Sequence, residues 1–113
     1  MGIERKESRE FIFAKAYIID KNIPGQIRDI NREGFKLFVP FPVNVEKDES
    51  LSVMIIPQEN QEMEQFEVIG NVRWIKEEAS NTIIGFHIDK KTALSSTAFI
   101  SRLTDLYTKH LDG

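Results

Sequence analysis

The sequence predicts a single mainly-β domain, an antiparallel barrel or sandwich with one C-terminal helix. Three observations support this fold class: the chain length, a series of short alternating apolar runs, and a change to helical spacing near the C-terminus. A chain of 113 residues is the size of one ordinary domain. It contains no cysteine, so neither disulfides nor thiolate metal sites can stabilise it, and the core must come from apolar side chains.

The segment from Phe11 to Ile88 has the two-residue period of β-strands. The alternating apolar positions, predicted to point inward, are Phe35, Leu37 and Val39, then Leu51, Val53 and Ile55, then Phe66, Val68, Val72 and Trp74, and finally Ile84, Phe86 and Ile88. An earlier run, FIFAKAYII, is followed by the turn-forming residues Asn22–Gly25. Many short strands with hairpin-length connections indicate an antiparallel barrel or sandwich.

The C-terminal segment has a different spacing. Between Thr92 and Leu111 the apolar residues recur at the three- and four-residue intervals of one helix face. They are Phe99, Ile100, Leu103, Leu106, Tyr107 and Leu111. We expect an amphipathic helix over residues 92–111 that lies against an opening or edge of the barrel and covers its apolar mouth.

The first ten residues are nearly all polar, with three basic and three acidic side chains. Such a segment cannot bury enough apolar surface to offset the entropy lost on ordering. We therefore expect residues 1–10 to form a mobile arm and residues 11–113 to form the folded domain.

The stretch QIRDINREG also departs from regular alternation. Ile27 and Ile30 are three residues apart and cannot share a face of a regular strand, which predicts a bend or bulge near Asp29. Gly34 suits a position that needs either a positive φ or a close backbone approach.

Two short motifs stand in a defined order. Arg5 and Arg9 form an R-x-x-x-R pair, and Asp29–Gly34 reads D-I-N-R-E-G about twenty residues later. This arrangement, with a V-R-W strand at Trp74 and an I-G-F strand at Gly85, resembles the PilZ family, whose signature is R-x-x-x-R followed by [D/N]-x-S-x-x-G. The resemblance implies a six-stranded antiparallel barrel with a C-terminal helix that binds cyclic di-GMP. The serine of the signature is replaced by asparagine at position 31.

The resemblance also implies a set of ligand-binding residues. These are Arg5, Arg9, Asp29, Asn31 and Gly34, with Lys6, Arg32 and Trp74 as supporting residues. The chemistry is suitable, because a guanidinium can bridge two acceptors of a guanine or a phosphodiester. The carboxylate of Asp29 can accept from guanine N1 and N2 or orient an arginine, and Asn31 can both donate and accept. Trp74 is in phase with the inward set of its strand, which favours core packing over base stacking, although a position at the barrel rim would allow both.

Other chemistry receives little support from the sequence. It contains no phosphate loop, nucleophile elbow or carboxylate–histidine arrangement, so we expect a binding module rather than an enzyme. His87 and His110 lack an acidic partner at a metal-ligand spacing, so we expect no metal and no cofactor. The net charge of −3 argues against binding of long nucleic acid. No apolar run approaches the ~20 residues of a membrane span, and the N-terminus lacks a secretory signal, so we expect a cytoplasmic protein.

Three hypotheses of function follow. In the first, cyclic di-GMP orders the arm, and the change is relayed to an unidentified protein partner. In the second, the domain is a PilZ-like adaptor that docks other proteins and no longer binds nucleotide; the replacement of serine by Asn31 favours it, and the intact Arg5/Arg9 pair argues against it. The third, a single-strand nucleic-acid barrel, needs a basic groove with exposed aromatic residues.

Overall fold

The computed structural model describes residues 14–58 and 62–112, and the side chains of residues 14–58 and 62–108. The described residues form six strands, one 3-10 helix and one α-helix. The strands are β1 Ala14–Ile18, β2 Ile23–Ile30, β3 Gly34–Val39, β4 Ser50–Pro57, β5 Phe66–Glu77 and β6 Thr82–Ile88. They form a closed barrel in the order β1-β2-β3-β6-β5-β4, and every neighbouring pair is antiparallel. The predicted six-stranded barrel is confirmed, and the sandwich is excluded because β1 also pairs with β4.

The barrel interior is filled by the alternating apolar side chains of the strands. The buried members of the predicted inward set are Phe35, Leu37, Val39, Leu51, Val53, Ile55, Phe66, Val68, Val72, Ile84, Phe86 and Ile88. Burying an aliphatic or aromatic side chain of this size stabilises a fold by about 1.5–3 kcal/mol. The apolar side chains that alternate along the strands therefore form one continuous core.

The α-helix, α1, covers one end of the barrel. It spans Leu94–Asp112, where the sequence predicts a helix over residues 92–111. Ile100 and Leu103 are buried in the common core, and the ring of Phe99 lies 5.2 Å from that of Phe66 at the start of β5. The helix also contacts β2, so it bridges two strands that are not neighbours in the sheet. In the described part of the chain, no helix has the length and apolar character to cross a membrane.

The turn between β1 and β2 lies earlier than predicted. A short 3-10 helix, Ile19–Lys21, ends at Asn22, which has a φ of 60° and donates its backbone N–H to the carbonyl of Ile19. Strand β2 begins directly after Asn22, so Pro24 is a strand residue rather than a turn residue. Proline is tolerated because this part of β2 pairs with β1 alone, and pairing with β3 begins only at Gln26.

A bulge interrupts β2 between Ile27 and Asp29, as the sequence predicts. Ile27 and Ile30 are both buried, whereas Arg28 and Asp29 are both exposed. The extra residue on β2 lets both isoleucines enter the core. It also presents two consecutive charged side chains on the outer surface.

A second bulge, in β5, contradicts the prediction for Trp74. The register with β6 shifts between Val72 and Trp74, and Trp74 is 44% exposed. Ile75 packs against the core instead. The sequence of β5 keeps its apolar alternation up to Trp74 without a change of phase. The extra residue of the bulge nevertheless turns the side chain of Trp74 to the outer face.

Gly34, the first residue of β3, lies close to the backbone of the neighbouring strand β6. A Cβ atom at this position would overlap the carbonyl oxygen of Phe86 in the neighbouring strand β6. No glycine in the described residues has a positive φ. The close-approach alternative predicted for Gly34 is therefore confirmed, and the positive-φ alternative is wrong.

We expect Gly34→Ala to destabilise the domain by about 1–3 kcal/mol, because the added methyl group must displace backbone. Gly85→Ala is the matched control, since the three atoms nearest to a Cβ there all belong to the indole of Trp74, an exposed side chain that can rotate away. Thermal unfolding should show the larger loss for Gly34→Ala. Equal losses would mean that the contact with Phe86 does not restrict position 34.

Candidate functional site

Asn31 organises the turn between β2 and β3. Its side-chain oxygen Oδ1 accepts hydrogen bonds from the backbone N–H groups of Glu33, at 2.7 Å, and Gly34, at 3.0 Å. Its own N–H donates to the carbonyl of Gly34 at 2.9 Å. A serine hydroxyl can accept comparable bonds, so asparagine can serve the same turn as the serine of the motif. The amide nitrogen Nδ2 is not used by the turn.

Tyr107 of α1 ties the helix to the bulge of β2. Its hydroxyl donates to the backbone carbonyl of Arg28 at 3.2 Å and also lies within hydrogen-bonding reach of the Asp29 carboxylate. Burial raises the pKa of Tyr107 above its ordinary value, and the charge of Asp29 raises this pKa further. The phenol therefore stays protonated near neutral pH and can donate a hydrogen bond.

A second contact joins α1 to the turn. The guanidinium nitrogen of Arg32 lies 2.9 Å from a carboxylate oxygen of Asp105. Both side chains are more than half exposed, at 58% and 71%. An ion pair in this setting contributes about 0–1 kcal/mol and is easily exchanged for another partner.

The register of the barrel aligns Asp29 with Trp74. Asp29 pairs with Lys36 on β3, Lys36 pairs with Gly85 on β6, and Gly85 pairs with Trp74 on β5. Three strand spacings separate the ends of this row, roughly 14 Å. The indole of Trp74 lies against Gly85, which brings the ring one strand closer to Asp29.

Arg28 and Phe38 form the adjacent part of the same surface. The guanidinium carbon of Arg28 lies over the ring of Phe38, 4.2 Å from its centroid. Phe38 points outward on β3, on the same face as Lys36. We call the outward side chains of Arg28, Asp29, Lys36, Phe38 and Trp74 the motif face.

The described structure brings Asp29, Asn31, Gly34 and Arg32 together at the end of β2 and the start of β3. Trp74 reaches the same surface from β5. Arg5, Lys6 and Arg9 lie outside the described residues. Within the described residues, no group of three or more His, Asp or Glu side chains could hold a metal ion.

Four residues of this region were not singled out from the sequence as site residues. They are Lys36, Phe38, Asp105 and Tyr107. Phe38 is out of phase with the buried set of β3, and an aromatic residue on the solvent face of a strand is a detectable anomaly. The sequence assigns Tyr107 to the apolar face of α1, yet a buried tyrosine also needs a partner for its hydroxyl. No local pattern connects Asp105 with Arg32.

The comparisons with known proteins agree with this architecture. The family model of the PilZ domain matches residues 4–104. The chain belongs to the PilZ family. A solved structure, the PilZ domain of YcgR from Escherichia coli with cyclic di-GMP, matches with a TM-score of 0.69 and 8% identity, over 90% of this chain and 86% of that one. Comparison with curated proteins finds no significant match.

At this identity the likeness to YcgR is a likeness of fold. The PilZ architecture described above, a closed six-stranded barrel with a helix over one end, is shared across most of both chains. The residues of the motif face are this chain's own and must be assessed by their geometry.

We expect Asn31→Ala to lower the stability of the PilZ domain by about 1 kcal/mol, because two hydrogen bonds to exposed backbone N–H groups are lost. Asn31→Asp keeps the accepting oxygen and should melt within a degree or two of the wild type. Parallel thermal melts of the two variants test this role. Identical melting of Asn31→Ala and wild type would show that the turn does not depend on the side chain.

Proposed function

We propose that this protein binds cyclic di-GMP on the motif face and is a binding module rather than an enzyme. The observation that carries the proposal is the position of the D-x-N-x-x-G motif in a chain of the PilZ family. Asp29 is exposed beside the turn that Asn31 and Gly34 form. One end of the barrel therefore offers a ligand the acceptor of Asp29, the donor of Asn31 and the backbone of Gly34, which carries no side chain.

The proposed contacts follow from the chemistry of the ligand. Cyclic di-GMP carries two guanines and two phosphodiesters, so it offers both a base edge and a negative charge. The carboxylate of Asp29 accepts from guanine N1 and N2, and Nδ2 of Asn31, which the turn leaves unused, donates to a ligand oxygen. Arg5 and Arg9 supply guanidinium groups for the phosphates or for guanine O6 and N7.

The supporting residues have separate tasks in this proposal. Trp74 offers an exposed aromatic face on which a base can stack. Arg32 can exchange Asp105 for a phosphate, because its present ion pair is exposed and weak. Lys6 adds a positive charge to the R-x-x-x-R segment.

The YcgR structure supports the proposal as a PilZ domain described with cyclic di-GMP. We extend that ligand to this chain because Asp29 and Gly34 stand at the spacing of the family signature, with Asn31 in place of its serine. The proposal includes a cytoplasmic location and no cofactor. It does not include binding of long nucleic acid, against which the net charge of −3 argues.

Helix α1 is the proposed route by which binding is relayed. Tyr107 and Asp105 contact Asp29 and Arg32, two residues assigned here to the ligand. A ligand that binds Asp29 and Arg32 competes with Tyr107 and Asp105 for these two side chains. Ligand binding then weakens the helix contacts, and the helix contacts weaken ligand binding by the same free energy. Loosening of α1 on binding would offer an altered surface to a protein partner.

One observation favours the alternative, a PilZ-like adaptor that no longer binds nucleotide. The side-chain oxygen of Asn31 is engaged in the turn, and Asp29 and Arg32 are engaged by α1. In an adaptor these contacts would be permanent parts of the fold. Asn31→Asp discriminates between the two functions, because it preserves the turn while it removes the donor proposed for the ligand.

We expect the purified protein to bind cyclic di-GMP well ahead of GTP or cyclic di-AMP. Arg9→Ala should weaken binding by about 1–3 kcal/mol, roughly tenfold or more, because a bidentate contact is lost. The fluorescence of Trp74, the single tryptophan, provides the titration signal, and calorimetry provides an independent affinity.

The Arg5→Ala/Arg9→Ala double variant should lose most of the affinity, and its melting temperature separates loss of the site from loss of the fold. Unchanged affinity in the double variant would contradict the assignment of the arginines. A wild type that binds none of the three nucleotides would favour the adaptor.

We expect Asp105→Asn to bind cyclic di-GMP more tightly than the wild type, by a few-fold. The variant removes an exposed ion pair that the ligand must otherwise displace from Arg32, with a contribution of about 1 kcal/mol or less. Glu78→Gln, which breaks the exposed pair with Lys76, is the matched control and should leave affinity unchanged. Equal or weaker binding by Asp105→Asn would refute competition between the helix and the ligand.

A further inference from the structure

Arg28 differs from the other arginine beside the motif. Arg32 is paired with Asp105, whereas Arg28 forms no ion pair with the described residues. Its guanidinium instead lies over the ring of Phe38, 4.2 Å from the centroid. A guanidinium has five N–H donors, and contact with one aromatic ring leaves donors available for acceptor atoms. Among the described residues, Arg28 is therefore an exposed cation that has no ion-pair partner and whose position is restricted.

The bulge in β2 places Arg28 beside Asp29 on the same surface. In a regular strand, consecutive side chains point to opposite faces, but here both are exposed. Arg28 lies over Phe38, while Asp29 is the register partner of Lys36. Because Phe38 and Lys36 are neighbouring outward positions of β3, the two charged groups lie side by side without an ion pair between them.

The bulge is held from the other side by α1. The Tyr107 hydroxyl donates to the backbone carbonyl of Arg28 at 3.2 Å. The backbone is thus anchored by the helix, and the side chain is anchored by an aromatic ring. A side chain that is already restricted loses less entropy when it binds a ligand.

We infer that Arg28 is a guanine-specificity residue, and that Arg28 and Asp29 together distinguish guanine from adenine. This inference rests on the proposed function and adds to it a residue outside the D-x-N-x-x-G motif. Guanine presents two adjacent acceptors, O6 and N7, that an arginine fork can bridge, whereas adenine presents a donor, N6, beside N7. A carboxylate accepts from the N1–H and N2–H groups of guanine, and adenine lacks both. Arg28 and Asp29 together therefore match the hydrogen-bonding groups of guanine and do not match those of adenine.

The test measures the affinities of wild type and variants for cyclic di-GMP and cyclic di-AMP, two ligands with identical phosphodiesters. Arg28→Ala should weaken cyclic di-GMP binding by tenfold or more and reduce the preference over cyclic di-AMP by a similar factor. Arg28→Lys keeps the charge without the fork and should also lose most of the preference. Lys47→Ala removes one exposed positive charge from the loop between β3 and β4 and is the control for net charge.

Phe38 is a positioning residue in this scheme, and its variants test the stacked arrangement. Phe38→Leu removes the ring and should weaken cyclic di-GMP binding several-fold. Phe38→Tyr restores a ring and should restore affinity. A purely structural role for Phe38 would instead lower the melting temperature of Phe38→Leu and leave the affinity ratio of the two nucleotides unchanged.

The outcomes separate the two proposals. If wild type binds cyclic di-GMP and Arg28→Ala binds it equally well, the specificity role of Arg28 is refuted and the proposed function stands. Equal weakening toward both nucleotides would mean a phosphate contact and would also refute guanine recognition by Arg28. If wild type binds neither nucleotide, the proposed function and this inference both fail.

Discussion

The bulge in β2 is the constraint on which the rest of this structure depends. With regular alternation after Ile27, Asp29 would point into the core and Ile30 would point into solvent. One extra residue reverses both outcomes, so the two isoleucines are buried and Arg28 and Asp29 are exposed. Burial of Asp29 without a partner would be costly. The same local irregularity therefore completes the apolar core and creates the charged surface beside the motif.

Helix α1 connects the core to that surface. Its buried residues Ile100 and Leu103 close the end of the barrel, while Asp105 and Tyr107 contact the motif from the next turns. One element thus carries a strong apolar contact and weak, exchangeable polar contacts. Because the polar contacts are weak, a ligand could displace them while Ile100 and Leu103 keep the helix on the barrel. The geometry suits a helix that changes its C-terminal contacts rather than one that detaches.

The similarity to YcgR shows how loosely this fold constrains sequence. The two chains share 8% identity and yet superimpose with a TM-score of 0.69. A closed barrel needs alternating apolar side chains of suitable volume, which many sequences provide. The turn between β2 and β3 restricts the sequence more strictly than the core does, because Gly34 lies too close to the backbone of β6 for a side chain. Asn31 meets a looser requirement, an oxygen that accepts two backbone N–H bonds, which a serine can also meet.

The sequence by itself determined the barrel strands apart from the start of β2, the bulge near Asp29, the terminal helix and the family membership suggested by the motif spacing, because each depends on local periodicity or on residues close in the chain. Only the tertiary structure decided that Trp74 lies outside, because a register shift against β6 is invisible to the alternation of β5 alone. It also decided that Tyr107 meets Asp29 and that Asp105 meets Arg32. These contacts join positions more than seventy residues apart. Closure of the barrel and the docking of α1 across its end bring them together, and no local pattern encodes that geometry.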